Sequence, residues 1–131
     1  MDSSSRTGIG NGCMARALIV DDSKFMRRII RETLEEGGHI ILAEADNGID
    51  GIEQYKKLKP DFVTMDITMT GKDGIQAVSD IQAMDPGAKI IIISAMSENT
   101  LKLNDKELRA TAFLTKPFEK FELLETIKKI L

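Results

Sequence analysis

Five short apolar runs, separated by stretches of helical periodicity, constrain the fold of this 131-residue chain more than any other feature. The fourth run, "AKIIIISA", is β-branched and apolar on both faces, which is typical of an interior strand of a parallel sheet. Between the runs, apolar residues recur at helical spacing, as in Met26, Ile30 and Leu34. Strands that alternate with helices through short connections predict an α/β protein with a doubly wound parallel sheet. The predicted strands lie within 15–22, 39–45, 61–66, 88–95 and 111–115, and the predicted helices lie within 23–38, 47–60, 74–87, 98–110 and 120–131.

Composition places these elements in one domain. Residues 1–13 are mostly Ser, Gly and polar residues, so we expect a flexible N-terminal extension or a cloning remnant there, and a single domain over 14–131. The net charge of −3 gives no general reason to expect nucleic-acid binding. No apolar stretch approaches the ~20 residues of a membrane span. The single cysteine, Cys13, cannot form an internal disulfide, which fits a reducing cytoplasm.

Polar and charged side chains stand where four of the predicted strands end. Asp21 and Asp22 close the first strand, Asp66 the third and Ser94 the fourth, and Lys116 follows the fifth. Each residue alone has a simpler interpretation: a helix cap, a turn residue, a strand-end hydroxyl or a solvated lysine. Because the carboxyl ends of parallel strands meet at one edge of the sheet, we expect these side chains to converge on a single site.

The charges of such a site limit what it can bind. Two carboxylates ~4 Å apart repel by roughly 4 kcal/mol at an effective dielectric near 20, and the single cation Lys116 cannot balance three acids. A divalent metal would complete the balance, and an all-oxygen site favours Mg²⁺ over zinc. An acidic pocket with Mg²⁺ and a lysine suits phosphoryl transfer, with Asp66 as the best candidate nucleophile.

The segments "LIVDDS", "MDITMTGKDG", "IIISA" and "FLTKPF" together resemble the receiver domain of two-component response regulators. Their spacing agrees with that family, with 44 residues from Asp22 to Asp66, 28 more to Ser94 and 22 more to Lys116. The resemblance covers residues 14–131 and implies the flavodoxin-like strand order 2-1-3-4-5.

The resemblance also implies roles for the metal ligands. Asp66 resembles the phospho-accepting aspartate, which would also bind Mg²⁺. Asp22 resembles the direct acidic ligand of Mg²⁺, and Asp21 the acid that acts largely through water. Thr68 would offer its backbone carbonyl to the metal.

Further residues resemble the parts of the family's switch. Lys116 looks like the lysine that pairs with the phosphoryl group, and Ser94 like the switch hydroxyl that binds it. Phe113 occupies the position of the switch aromatic, although a core role in a strand fits it equally well. The family also implies a cis peptide bond between Lys116 and Pro117. The partner would dock on the fourth helix, fifth strand and fifth helix, roughly residues 98–131.

A receiver of this kind takes its phosphoryl group from a histidine kinase and acts by binding other proteins, and a phosphatase can be a further partner. It is not an enzyme on a separate substrate, since it catalyses only its own Mg²⁺-dependent phosphorylation and dephosphorylation. The segments "MDITM" and "SAM" are most similar to stand-alone chemotaxis regulators. The alternative is a receiver excised from a larger regulator, such as a transcription factor. We expect no membrane contact, and no nucleic-acid binding by this domain.

Other interpretations stay open at this stage. A haloacid-dehalogenase-type phosphatase also uses a strand-end Asp, but it needs a second acid where Thr68 stands. A flavodoxin-like flavin carrier needs a phosphate-binding loop where the chain has "DDSK". A receiver with an inactive site is a third possibility. Two departures from the family pattern, Thr70 in place of a proline and Arg109 in place of a glycine, affect the expected geometry of the loops. His39 is interpreted as structural or solvent-exposed, so the phosphodonor should be external.

The basic stripe Arg27, Arg28 and Arg31 is interpreted as a solvated helix face.

Overall fold

The computed structural model describes residues 14–67, 74–95 and 112–131. The described elements alternate between strand and helix as the sequence predicts. The predicted helix within 98–110 lies outside the described residues, as do residues 1–13. The strands are β1 (Arg16–Val20), β2 (Ile40–Ala45), β3 (Phe62–Asp66), β4 (Ile90–Ser94) and β5 (Ala112–Thr115); the helices are α1 (Lys24–Glu36), α2 (Gly48–Leu58), α3 (Gly74–Met84) and the C-terminal helix (Lys120–Ile130).

The five strands form one parallel sheet in the order β2-β1-β3-β4-β5. Every residue of the interior strands β3 and β4 is buried, as their mostly apolar sequences predict. The chain moves outward from β1 to β2 and then crosses back to β3, so the direction of winding reverses between β1 and β3. The predicted doubly wound fold and its strand order are therefore confirmed.

Apolar layers cover both faces of the sheet. The four isoleucines of β4 show the division, because Ile90 and Ile92 join the layer under α2 and α3, while Ile91 and Ile93 join the layer under α1 and the C-terminal helix. Complete burial of such a side chain contributes roughly 1.5–3 kcal/mol. The two layers hold the strand ends rigidly, which fixes the positions of the side chains that follow them.

The apolar faces of two helices are narrower than the sequence spacing suggests. Phe25 shares a helical spacing with Ile29 but is 70% exposed, because α1 buries Ile30 and Leu34 on another side of the helix. Phe121 is 65% exposed for a similar reason, since it lies two residues, or about 200°, from the buried Leu123.

Local signals account for where the helices begin and end. The Ser23 side chain caps α1 by accepting a hydrogen bond from the Met26 N–H at 3.1 Å. After α1 the chain turns through Gly38, whose φ of 88° lies in the left-handed region that favours glycine. Among the described helices, none is long and apolar enough to cross a membrane.

Candidate functional site

Three carboxylates converge at the carboxyl edge of the sheet, as the sequence predicts. Asp21 and Asp22 follow β1, and Asp66 is the last residue of the neighbouring strand β3. One oxygen from each of the three carboxylates lies within 4.8 Å of the other two. Asp21 and Asp66 are almost completely buried, whereas Asp22 is exposed. A cation held here would therefore be reached by solvent from the Asp22 side.

Lys116 joins this cluster from the far side of β3. Its Nζ lies 3.5 Å from Asp21 Oδ2 and 3.6 Å from Asp66 Oδ2. The predicted cis peptide bond between Lys116 and Pro117 is confirmed. The Lys116 N–H donates to the Ser94 carbonyl oxygen at 2.7 Å, so β4 fixes the backbone from which the lysine extends. One ammonium group is thus shared between two buried carboxylates.

This shared lysine leaves the buried acids with excess negative charge. Burial raises the pKa of Asp21 above its usual range, and the neighbouring Asp66 carboxylate raises it further. The Ser23 N–H, which donates to Asp21 Oδ1 at 2.8 Å, and the Lys116 charge lower the pKa of Asp21 only in part. Removing water from a carboxylate costs free energy unless a cation or proton compensates, so the site favours the arrival of positive charge.

The donor set fits a hard divalent cation. All three converging side chains offer carboxylate oxygens, and the cluster contains neither His nor Cys. Oxygen ligands with one side open to water are the arrangement that Mg²⁺ prefers in proteins. Thr68, whose carbonyl the resemblance adds to this set, lies outside the described residues.

Ser94 and Phe113 lie on the two strands beyond β3. Ser94 is fully buried at the end of β4 and pairs in register with Thr115 of β5. Phe113 pairs with Ile92 and is only partly buried against the layer under α2 and α3. Ser94 therefore reaches the same edge as the acids, while Phe113 lies one strand further out. Thr70 and Arg109 lie outside the part of the chain that the structure describes.

The fold, the acidic edge and the lysine can be compared with known proteins. A family model described as the response regulator receiver domain matches residues 17–128. This chain belongs to the receiver family. Membership explains both the doubly wound sheet and the acidic edge, so the dehalogenase-type and flavodoxin-like interpretations are set aside.

Individual relatives of this receiver are similar over most of its length. Protein CcdB of Bacillus subtilis is 48% identical over 118 residues, which cover 90% of this chain and 98% of that protein. Chemotaxis protein CheY of Thermotoga maritima is 42% identical over 115 residues, which cover 88% of this chain and 96% of that protein. The crystal structure of a CheX–CheY–BeF₃–Mg²⁺ complex from Borrelia burgdorferi matches with a TM-score of 0.83 and 32% identity, covering 92% of this chain and 91% of that one.

Gly74 is a site residue to which sequence reasoning assigned no role. It begins α3 directly behind β3, where an added Cβ would clash with the Asp66 carbonyl oxygen and lie 2.6 Å from Ile67 Cα. Only a residue without a side chain lets α3 approach the backbone that carries Asp66 so closely. The signal was available in "GKDG", but the contact depends on the packing of α3 against β3.

The basic stripe of α1 is not simply a solvated face, which corrects the interpretation from sequence. Arg27 and Arg31 both form ion pairs with Glu44 of β2, at 3.0 and 2.6 Å, and the Arg27 side chain is only 16% exposed. Arg28 does behave as predicted, since its side chain is 77% exposed. Sequence spacing could not reveal the pairing because Glu44 belongs to another element.

His39, in contrast, is structural, in line with one of its two interpretations. It is 8% exposed and its Nδ1 accepts the Ala15 N–H at 3.1 Å. It lies at the amino end of the sheet, since it precedes β2, and so it is remote from the acids.

Proposed function

We propose that this receiver accepts a phosphoryl group on Asp66 from the phosphohistidine of a histidine kinase, and that phosphorylation switches its binding to another protein. The observation that carries the proposal is the grouping of Asp66 with Asp21, Asp22 and Lys116. An Asp66 oxygen forms the new bond to phosphorus while the donor's P–N bond breaks, and the released imidazole takes up a proton.

The chain's own residues provide the positions for this transfer. Lys116 is within reach of the Asp66 carboxylate and offsets the negative charge that a phosphoryl group adds there. Asp21, Asp22 and Asp66 would hold Mg²⁺, with the Thr68 carbonyl as a further ligand. When bound, Mg²⁺ would neutralise the phosphoryl oxygens. Because Asp22 is the exposed member of the set, the donor would approach from that side.

Phosphorylation of this site is tested directly. The protein is incubated with acetyl phosphate and MgCl₂, and the modified fraction is measured by phosphate-affinity electrophoresis. Wild type should be modified, Asp66→Asn should not, and Asp61→Asn should behave as wild type, because Asp61 is an exposed acid that precedes β3. An unmodified wild type would identify an inactive receiver, and a modified Asp66→Asn would place the acceptor elsewhere.

Metal binding is tested separately. Asp22→Asn should abolish the chemical-shift changes that millimolar MgCl₂ causes near residues 21–22, 66–68 and 116. Unchanged Mg²⁺ affinity in this variant would exclude Asp22 as a ligand.

The conformational change would extend from Ser94 to the surface on which the partner docks. Ser94 can donate its hydroxyl to the phosphoryl group only by moving toward Asp66, which leaves space behind β4 that Phe113 can fill. Phe113 has no hydroxyl to hold it in either position, so we expect a shift of populations rather than a latch. The docking face would comprise residues 98–131, where the exposed Phe121 offers an apolar contact.

This switch is tested with beryllofluoride and Mg²⁺. Amide shifts should spread from residues 66 and 94 to 98–124 in wild type and should be absent in Asp66→Asn. Shifts limited to the immediate site would show that the protein binds the phosphoryl analogue without signalling through this face.

Chemotaxis is the cellular process that we propose for this switch. The CheY relatives from Thermotoga maritima and Bacillus subtilis are 42% and 44% identical and match over 96% and 97% of their own lengths. This similarity favours a regulator of the CheY type over the alternative of a receiver that belongs to a transcription factor. The partners would be a histidine kinase, a downstream target and a phosphatase, in the cytoplasm.

A further inference from the structure

Arg27, which forms an ion pair with Glu44, also contacts the backbone of the acidic site. Arg27 Nη1 donates to the backbone carbonyl oxygen of Asp21 at 2.7 Å, and its Nε donates to Glu44 Oε1 at 3.0 Å. The guanidinium group therefore joins the end of β1 to β2 with two directed hydrogen bonds. A planar guanidinium can hold two acceptors at fixed angles, which a lysine ammonium cannot.

The pairing of β1 with β2 places Glu44 where Arg27 can reach it. The register shifts between Ala17 and Leu18, so that Glu44 lies opposite Ile19, on the face that α1 covers. If the register continued unchanged from Ala17, Glu44 would lie opposite Val20, on the other face. The irregular pairing thus brings a carboxylate to α1 in this sequence.

The location of Arg27 is not favourable for the helix itself. It lies one turn into α1, whose first turn contains no acidic residue to balance the positive end of the helix dipole. Glu44 offsets the charge of Arg27 from outside the helix. Although burial alone would raise the pKa of Glu44, the hydrogen bonds from Arg31 and Arg27 lower it, so Glu44 stays ionised near neutral pH.

Strand β2 also holds Asp21 through a second contact. The Asp21 N–H donates to the Ala45 carbonyl oxygen at 3.0 Å. Both backbone groups of Asp21 are therefore bound, one directly to β2 and one through Arg27. The carboxylates of Asp21 and Asp22 extend from this fixed segment, so their directions depend on it.

We propose that Arg27, oriented by Glu44, is a positioning residue that holds the Asp21–Asp22 turn in the geometry that binds the divalent cation. The inference rests on the proposed function and adds to it a residue that does not contact the cation. Groups that orient metal ligands typically change metal affinity 10- to 100-fold when they are removed. Arg27 acts on a backbone carbonyl rather than on a ligand oxygen, so the lower end of this range applies.

The test compares two arginines that share Glu44. Arg27→Gln and Arg31→Gln each lose an ion pair with Glu44, but only Arg27→Gln loses the contact with Asp21. Mg²⁺ affinity, measured by calorimetry, should fall about 10-fold in Arg27→Gln. It should stay within about 2-fold of wild type in Arg31→Gln, whose ion pairs are partly exposed. Equal affinities in the two variants would overturn the proposal.

A charge-preserving variant separates position from electrostatics. Arg27→Lys keeps the positive charge but lacks the planar group that holds both acceptors at fixed angles, so its Mg²⁺ affinity should resemble that of Arg27→Gln. Wild-type affinity in Arg27→Lys would show that charge alone acts, and would overturn the positioning role.

A measurement without metal separates the test of this inference from the test of the proposed function. The amide signals of Asp22 and Ser23 should shift and broaden in metal-free Arg27→Gln, and should match wild type in Arg31→Gln. If wild type binds no Mg²⁺, the metal site of the proposed function fails, while these signals still decide whether Arg27 holds the turn. Unchanged signals in Arg27→Gln would overturn the inference even if Mg²⁺ binding is found.

Discussion

Titratable side chains are buried at both ends of the sheet, but the groups that surround them differ. At the amino end, His39 accepts a hydrogen bond from Ala15, and the Tyr55 hydroxyl donates to Asp85 at 2.6 Å. At the carboxyl end, one lysine lies between the buried Asp21 and Asp66. These two groups at the amino end each have a hydrogen-bond partner, whereas the described residues of the carboxyl end set three carboxylates against one lysine, an excess of negative charge that a cation can relieve.

The contrast indicates that the amino end of the sheet contributes to stability and that the carboxyl end is suited to binding a cation. Complete pairing lowers the free energy of the folded state, and the amino end provides it. Incomplete pairing costs stability in the free protein, yet it also makes cation binding favourable.

The largest difference is expected between two glycines. Gly74→Ala should destabilise the protein by about 3 kcal/mol, because its Cβ would collide with the backbone of Asp66 and Ile67. Displacement of Asp66 should also slow phosphorylation by acetyl phosphate, roughly 10- to 100-fold. Urea denaturation and the phosphorylation rate measure the two effects.

Gly87→Ala is the matched control at the amino end. The nearest atom to an added Cβ there is Asp85 Oδ1, at an ordinary contact distance of 3.6 Å. The change should alter stability by less than about 0.5 kcal/mol and leave phosphorylation unaffected. Similar effects of the two alanines would contradict the claim that close packing is specific to the carboxyl end.

His39→Leu tests the pairing at the amino end. The variant leaves the buried Ala15 N–H without its acceptor, so the free energy of unfolding at pH 7.5 should fall by roughly 2 kcal/mol. Burial lowers the pKa of His39 below its ordinary value of 6.5, so the unfolded chain binds the proton more readily than the folded chain does. Wild type should therefore lose stability as the pH falls below about 6.5, while the variant lacks this loss.

The difference between wild type and His39→Leu should accordingly narrow between pH 7.5 and 5, as followed by urea denaturation. A difference that stays constant over this range would mean that His39 titrates alike in the folded and unfolded chains.

At the carboxyl end, Asp21→Asn should change the stability in the opposite direction. Burial and Asp66 raise the pKa of Asp21, so ionised Asp21 opposes folding as the pH rises above the ordinary carboxyl pKa of 3.8. At pH 7 without divalent cations, the variant should be more stable than wild type by on the order of 1 kcal/mol, since Lys116 offsets most of the repulsion.

Added MgCl₂ should make wild type more stable than Asp21→Asn, because the cation binds the folded wild type more tightly than the folded variant. Thermal unfolding with MgCl₂ or with EDTA checks both halves of the prediction. A variant less stable than wild type in EDTA would show that the acids of this edge are balanced without a cation.

The smallest effect concerns a hydroxyl between the two ends. Thr64 Oγ1, in the middle of β3, is a buried side-chain oxygen without a hydrogen-bond partner among the described residues. Thr64→Val should stabilise the protein by about 0.5–1 kcal/mol, because an unsatisfied polar group is removed without a change of shape. Thr33→Val serves as the control, since the Thr33 hydroxyl donates to the Ile29 carbonyl at 2.8 Å, and it should give no gain. A loss of stability in Thr64→Val would indicate a partner for this hydroxyl.

The sequence predicted the fold class because apolar runs and helical spacing are local properties of the chain. It also predicted that Asp21, Asp22, Asp66 and Lys116 converge, since parallel strands place their carboxyl ends together. The strand order required the family resemblance, because periodicity does not specify which strands are neighbours. The roles of these four residues, and those of Ser94, Phe113 and Thr68, remain predictions.

What the sequence could not predict depends on how elements pack. Helical spacing gives the period of an apolar face but not its direction, so it does not reveal that Phe25 and Phe121 are exposed. The contact of Gly74 with Asp66 and the pairing of Arg27 with Glu44 both join different elements. The latter also involves an irregular register between β1 and β2, which no local pattern reveals.

That register shift has a consequence for how the chain can change in evolution. Leu42 is the extra residue, since Ala17 pairs with Ile41 and Leu18 with Ala43. Loss of Leu42 would make the pairing of β1 and β2 uniform and would still leave Glu44 opposite Ile19. The edge strand can therefore lose this residue without a change in the Arg27 contact.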